Sequence, residues 1–188
     1  EMWGFDPQNG KLIWFAETNL DSPVSPSVVS ADGIVYAIGG RRGGSVAVRA
    51  GGKDDVTESH IVWKGDANAY VPSPVLSKGK LFWVDDRGLA ICVDAKTGKL
   101  VKRSRLDSGN GGGFGGRPFY ASVVLADDKL YAVSRTAGVF VLKANAEFEQ
   151  ITHNQFDSDE SDFNASPAIS EGAIFLRSNR FVYCIMDD

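Results

Sequence analysis

A chain of 188 residues with 43% hydrophobic residues and 21 glycines can bury a core of ordinary domain size. Its net charge of −4 gives no support to a nucleic-acid-binding surface or to one drawn to anionic membranes. No apolar run approaches the ~18 residues of a membrane span, and two cysteines and two histidines, with neither histidine near a partner at ligand spacing, give no support to a structural zinc site.

In chain order, Met2 to Phe5 and Lys11 to Glu17 read as two strands joined by the turn Asp6-Pro7-Gln8-Asn9-Gly10. A new unit opens with SPSVVS at Ser25, continues as GIVYAIGG at 33–40 and passes to SVAV. The next unit, Pro72 to Leu106, is the most regular. Pro72 to Ser77, Lys80 to Asp85, Leu89 to Val93 and Leu100 to Leu106 are four short strands separated by turns rich in Gly and Asp. The same order recurs as ASVVLA, DKLYAVSR and GVFVL from Ala121, and as SPAISE, GAIFLRSN and FVYCI from Ser166. The second-strand aromatics Tyr36, Phe82, Tyr131 and Phe175 are spaced by 46, 49 and 44 residues.

Four short strands per period of ~40–50 residues is the spacing of β-propeller blades. The sequence therefore predicts an all-β fold, a single propeller segment over 1–188 built from four-stranded antiparallel blades. Residues 1–18 end one blade, 24–66, 72–106 and 119–153 are full blades, and 165–188 is an incomplete one. About four blades are present, where a ring of seven or eight would need roughly twice the length. The expectation is a part of a larger propeller, closed by its remaining blades or by a second copy of the chain.

The third-to-fourth-strand turn carries the clearest motif, Asp6 to Lys11 in the first copy and Asp94-Ala95-Lys96-Thr97-Gly98-Lys99 in the third. An Asp that bonds the backbone ahead of it and a Gly at positive φ are turn chemistry, and they recur by position rather than converging on one pocket. GFDPQNGKLIW at 4–14 and ICVDAKTGKL at 91–100 resemble the pyrroloquinoline-quinone-like propeller repeat, A-x-D-x-x-T-G-x-x-x-W. That repeat is found in quinoprotein dehydrogenases, in the bacterial outer-membrane assembly lipoprotein BamB and in many extracytoplasmic proteins. It is specific for fold and poor for function.

The resemblance implies that Trp14 and Trp63 dock between neighbouring blades, while Lys102 and Ile151 stand where two further tryptophans would. The turn is expanded to Ala50-Gly51-Gly52-Lys53-Asp54-Asp55 in the second copy and decays to Ala144-Asn145-Ala146-Glu147 in the fourth. Cys92 and Cys184 share one third-strand position two blades apart, with Gly4 and Ala47 as counterparts, and read as small packing residues. The adjacent cysteines typical of quinoprotein dehydrogenases do not occur. His60 and His153 read as ordinary fourth-strand residues. The run from Ser108 to Gly116 lacks the Lys-Ser/Thr and helix of a phosphate loop and reads as a blade-to-blade connection anchored by Phe114 and Phe119. Asp157, Asp159, Glu160 and Asp162 lack the glycine and terminal Glu of an EF-hand and read as a solvated acidic loop.

Second-to-third-strand turns and blade connections share one face of a propeller. On it fall Arg41 and Arg42, Arg87, Arg117, Arg135, Arg177 and Arg180. Arginine suits bidentate carboxylate recognition and interface anchoring, so this is the candidate binding face. The leading expectation is a non-catalytic scaffold with a protein or peptide partner, no cofactor, no metal and no catalytic residues. A quinone-dependent dehydrogenase with calcium, or part of one, is the competing reading, and the sensor region of a larger signalling or surface protein a third. The resemblance alone points to a periplasmic or otherwise extracytoplasmic location.

Overall fold

The computed structural model describes residues 1–107 and 116–186. The chain opens with β1 (Met2–Phe5) and β2 (Leu12–Ala16), continues through β3 (Val29–Ala31), β4 (Ile34–Ile38) and β5 (Ser45–Arg49), and then makes a two-residue strand β6 (Asp54–Asp55), a single helical turn α1 (Thr57–His60) and β7 (Ile61–Gly65). The third unit is β8 (Val75–Ser77), β9 (Lys80–Val84), β10 (Leu89–Asp94) and β11 (Leu100–Arg105). The fourth is β12 (Val124–Ala126), β13 (Lys129–Ser134), β14 (Gly138–Lys143) and β15 (Gln150–Asn154), and the fifth is β16 (Ala168–Ser170), β17 (Ala173–Arg177) and β18 (Val182–Ile185). Among the described residues these form five sheets, three of them four-stranded: β3-β4-β5-β7, β8-β9-β10-β11 and β12-β13-β14-β15. The fold is a succession of β-propeller blades.

Alternation explains the packing. In β9 and β10 nearly every side chain is buried, because successive residues point to opposite faces and both faces are covered. Leu81, Trp83, Ile91 and Val93 meet the second sheet's Tyr36, Ile38, Ala47 and Trp63. Phe82, Val84, Ala90 and Cys92 meet the fourth sheet's Leu130, Ala132, Phe140 and Leu142. Further cores join the first sheet to the second around Trp14, Val46 and Val48, and the fourth to the fifth around Val133, Val141, Phe163 and Leu176. Register keeps the layers in step: Tyr36 lies opposite Ala47, Phe82 opposite Cys92 and Phe175 opposite Cys184, an aromatic against a small residue each time. Cys92 is fully buried, and burial pushes its thiol up to about 11, as befits an inert packing residue.

The sheets are also laced at the start of their first strands. The Ser27 N–H donates to Ser73 Oγ at 2.8 Å, the Ser73 N–H to Ser122 Oγ at 2.9 Å, and the Ser122 N–H to Ser166 Oγ at 2.9 Å. Each rung joins one sheet to the next.

At the outer strands each sheet boundary is clamped differently. Trp63 docks on the third sheet's Asp-Thr-Gly turn: its indole N–H donates to Ala95 O at 2.9 Å, and a Cβ at Gly98 would stand 2.5 Å from its ring. The turn is preformed, since Asp94 Oδ1 accepts from the Thr97 N–H and hydroxyl. The hydroxyl bond is the main cause that lowers the Asp94 carboxyl below its ordinary range. Where Lys102 replaces the tryptophan, its ammonium reaches Glu147 at 3.1 Å. Phe148, from the decayed turn of the fourth sheet, sets its buried ring edge-on to Phe82 at 5.9 Å.

The expanded turn of the second sheet is the largest departure from the sequence reading. Instead of a loop, β6 runs parallel to β2, pairing Asp54 with Trp14 and Asp55 with Phe15. The Val56 N–H then donates to Phe15 O at 2.9 Å, and Thr57 Oγ1 accepts from the Glu17 N–H at 3.0 Å. The insertion staples the first sheet to the second and brings buried Val56 into their shared core. His60 lies in α1, which corrects its assignment to a fourth strand. His153 does lie in β15, stacked on Phe140 at 4.0 Å.

The acidic connection between the fourth and fifth sheets is held from within. Asp159 Oδ1 accepts from the Ser161 N–H at 3.0 Å and hydroxyl at 2.6 Å, while Oδ2 accepts from the Tyr183 hydroxyl at 2.7 Å. The Ser161 hydroxyl, followed by Ser178 and Tyr183, drives the Asp159 carboxyl far below its ordinary range.

Two predictions follow from these contacts. Trp63→Ala is expected to lower stability by about 3–5 kcal/mol in urea unfolding, because it opens a cavity and strips the donor from Ala95 O. Trp63→Phe, which keeps an aromatic ring but loses the bond and part of the packing, is expected to cost less, about 1–2 kcal/mol. For Asp159 the folded pKa is lowered, so its contribution is complete above the ordinary aspartate range of about 4 and is lost as pH falls below it. Asp159→Asn should melt below wild type at pH 7, and the two Tm values should converge on acidification.

Candidate binding face

The β9–β10 turn builds the centre of the site. Asp85, 1% exposed, accepts the Arg87 N–H at 3.0 Å and the Leu89 N–H at 2.8 Å through Oδ1, and its Oδ2 meets Arg87 Nε at 3.3 Å. The base of Arg87 is thereby fixed while most of its side chain stays exposed. Gly88 completes the turn at φ 82°, with room for no Cβ that does not press on Phe119 at 3.1 Å. Asp86, also buried, turns the other way: its Oδ1 accepts the Tyr70 N–H at 3.2 Å and its Oδ2 lies 2.8 Å from Arg117 Nη1. That last N–H is not aligned for a hydrogen bond, so the contact is an ion pair held by Coulomb attraction.

Two guanidinium groups lie over the Tyr70 ring, Arg41 at 4.6 Å and Arg117 at 4.8 Å from its centroid. Asn68 links the parts, donating from Nδ2 to Gly40 O at 3.0 Å and accepting the Trp83 indole N–H on its carbonyl at 3.1 Å. Together these groups enclose a polar cavity of about 60 Å³ lined by Arg41, Asn68, Tyr70, Asp86, Arg87 and Arg117. Three of the arginines singled out in the sequence therefore converge.

The other four do not join them. Arg135 forms a separate station, stacked on Tyr120 at 4.9 Å and ion-paired with Asp162. Its backbone ties two connections together, donating to Pro118 O at 2.8 Å and accepting the Phe163 N–H at 2.9 Å. Beside it is a recess of about 320 Å³ lined by Thr136, Gln155, Asp157, Asp159 and Glu160. Arg42 and Arg180 are exposed in their turns, and Arg177 ends β17 opposite Val182. Among the described residues none of these three forms an ion pair. Counting from the second-strand aromatic explains the split: Arg41, Arg87 and Arg180 stand five residues on, Arg135 four and Arg177 two. The arginines recur without being equivalent.

Sequence reasoning missed Tyr70, Asn68, Asp86 and Tyr120, which hold these arginines in place, and read Asp162 as a solvated acidic residue, whereas it pairs with Arg135. The available signal was an aromatic just ahead of the opening serine of two blades, in Tyr70-Val71-Pro72-Ser73 and Phe119-Tyr120-Ala121-Ser122. The run from Ser108 to Gly115, with Phe114, lies outside the described residues.

Cys92 and Cys184 are free thiols in different sheets, one buried and one exposed. The described residues contain no group of three or more His, Cys, Asp or Glu placed to hold a metal ion. Nor do they include a helix long and apolar enough to cross a membrane.

Comparison with known proteins places this geometry. The model of the family described as outer membrane protein assembly factor BamB matches residues 1–104. BamB from Moraxella catarrhalis superposes with a TM-score of 0.66 at 13% identity, over 90% of this chain and 47% of its own. The quinohemoprotein alcohol dehydrogenase ADHIIG from Pseudomonas putida HK5 gives 0.66 at 14% identity, over 88% of this chain and 30% of its own. The computationally designed Ika4 protein gives 0.67 at 11% identity, over 94% of this chain and 98% of its own. Among curated protein sequences, none matches this chain. The chain thus spans less than half the length of the two natural structures. On the match over residues 1–104, and with the propeller geometry described above, the chain belongs to the BamB family of pyrroloquinoline-quinone-like β-propeller proteins.

Proposed function

We propose that this chain is a non-catalytic propeller scaffold that engages a protein or peptide partner outside the cytoplasm, through the loop face carrying Arg41, Arg87 and Arg117. The observation that carries the proposal is the assembly of Arg41 and Arg117 on Tyr70 beside Arg87. Tyrosine and arginine are the side chains most enriched at interface hot spots, and here buried Asp85 and Asp86 hold them in place. Preorganised groups lose little conformational entropy on binding. The family's description as an outer membrane assembly factor supports both the partner class and the location.

The immobilised chain should capture a discrete partner from an extracytoplasmic extract. Arg41→Glu and Arg87→Glu should each abolish capture while leaving the folded circular dichroism spectrum unchanged, with a lower Tm for Arg87→Glu because Asp85 loses its partner. Capture retained by both variants would remove the site from consideration. Addition of pyrroloquinoline quinone and calcium should give no dye reduction with alcohol or sugar substrates, and turnover would overturn the non-catalytic reading.

A further inference from the structure

We infer that the cavity between Arg41, Tyr70, Arg87 and Arg117 is a carboxylate-binding pocket, filled by a glutamate or aspartate side chain of a peptide. The inference rests on the loop face being the binding surface and names what that surface recognises.

Charge comes first. Of the guanidinium groups lining the cavity, Arg87 is paired with Asp85 and Arg117 with Asp86, while Arg41 has no ion-pair partner among the described residues and is the uncompensated charge. A monoanion balances that surplus, whereas the second charge of a phosphate would sit unpaired beside Asp86.

The donors are next. Asp85 takes only the Nε side of Arg87, so the Nη groups of that guanidinium remain available. Arg41 Cζ lies over the Tyr70 ring at 4.6 Å, and among the described residues its guanidinium forms no ion pair. A guanidinium whose cation is already set against an aromatic ring keeps its N–H groups for an acceptor, and a carboxylate can take two of them in parallel.

Size agrees with both. About 60 Å³ accommodates a carboxylate head and little more, so the rest of the ligand must extend over the loop surface. The floor is rigid, because Asn68 is tied to Gly40 O on one side and to the Trp83 indole on the other. The Trp83 indole N–H therefore lies one hydrogen bond from the pocket and can report its occupancy.

The test is a titration of the full ¹⁵N-labelled chain followed at the Trp83 indole and at the Arg41 and Arg87 Nε–H signals. Three probes are compared at equal ionic strength: a decapeptide of alternating glycine and glutamate, its glutamine counterpart, both amidated at the C-terminus, and inorganic phosphate. Only the glutamate peptide is expected to shift these signals. Arg41→Gln and Arg87→Gln should each weaken it about tenfold or more, and Arg42→Gln should leave it unchanged. Preserved indole dispersion in each variant confirms folding. Equal shifts from the glutamine peptide, shifts from phosphate alone, or undiminished binding by both variants would overturn the inference. A titration that moves nothing also overturns it, even if partner capture still depends on Arg87, and that combination would leave the scaffold proposal standing. Peptide binding without any captured partner would do the reverse.

Discussion

Burial on both faces is the constraint from which the rest of the structure follows. A sheet three or four strands wide cannot shield its own side chains, so each inner sheet relies on the one before and the one after. In the third sheet, Leu81 and Trp83 serve one boundary while Phe82 and Val84 serve the other. In the second and third sheets the second-strand aromatics Tyr36 and Phe82 fill the boundary, and the small residues opposite them, Ala47 and Cys92, let the neighbouring sheet approach. This leaves the chain little freedom in its strands and considerable freedom in its turns.

The turns use that freedom in two ways. On the outer edge they fasten one sheet to the next, and no two fastenings among those described are alike. Trp63 on Ala95, Lys102 with Phe148, and the β6 insertion alongside β2 are three chemical solutions to one geometric problem. On the loop face the turns point arginines at neighbouring connections. There the buried Asp85 and Asp86 act in opposite directions, one fixing its own turn and the other reaching to the connections on either side.

Much of this was legible in the sequence because it is periodic and local. The strands repeat at a fixed spacing, their alternation shows both faces, and the Asp-Thr-Gly turn carries its own hydrogen-bonding logic. What could not be read is what depends on distant partners. Asp54 and Asp55 have no apolar periodicity and become a strand only because β2 offers an open edge about forty residues earlier. Phe148 fills the place of a missing tryptophan from the following sheet, at a left-handed φ of 54° that nothing in its neighbours announces. The arginines were visible one by one. Their division into a converging trio, a separate station and three solvated residues depends on Tyr70, Asp86, Tyr120 and Asp162, whose roles emerge only in three dimensions.

The serine ladder has a further consequence. Every rung runs the same way, from the amide of one sheet to the hydroxyl of the next. Along the inner rim these rungs form an open ladder with a direction, able to resist splaying of the sheets without fixing anything on the loop face. None of its rungs involves Arg41, Arg87 or Arg117. Recognition and cohesion reside in separate atoms, so the loop face can change its ligand while the rim stays as it is.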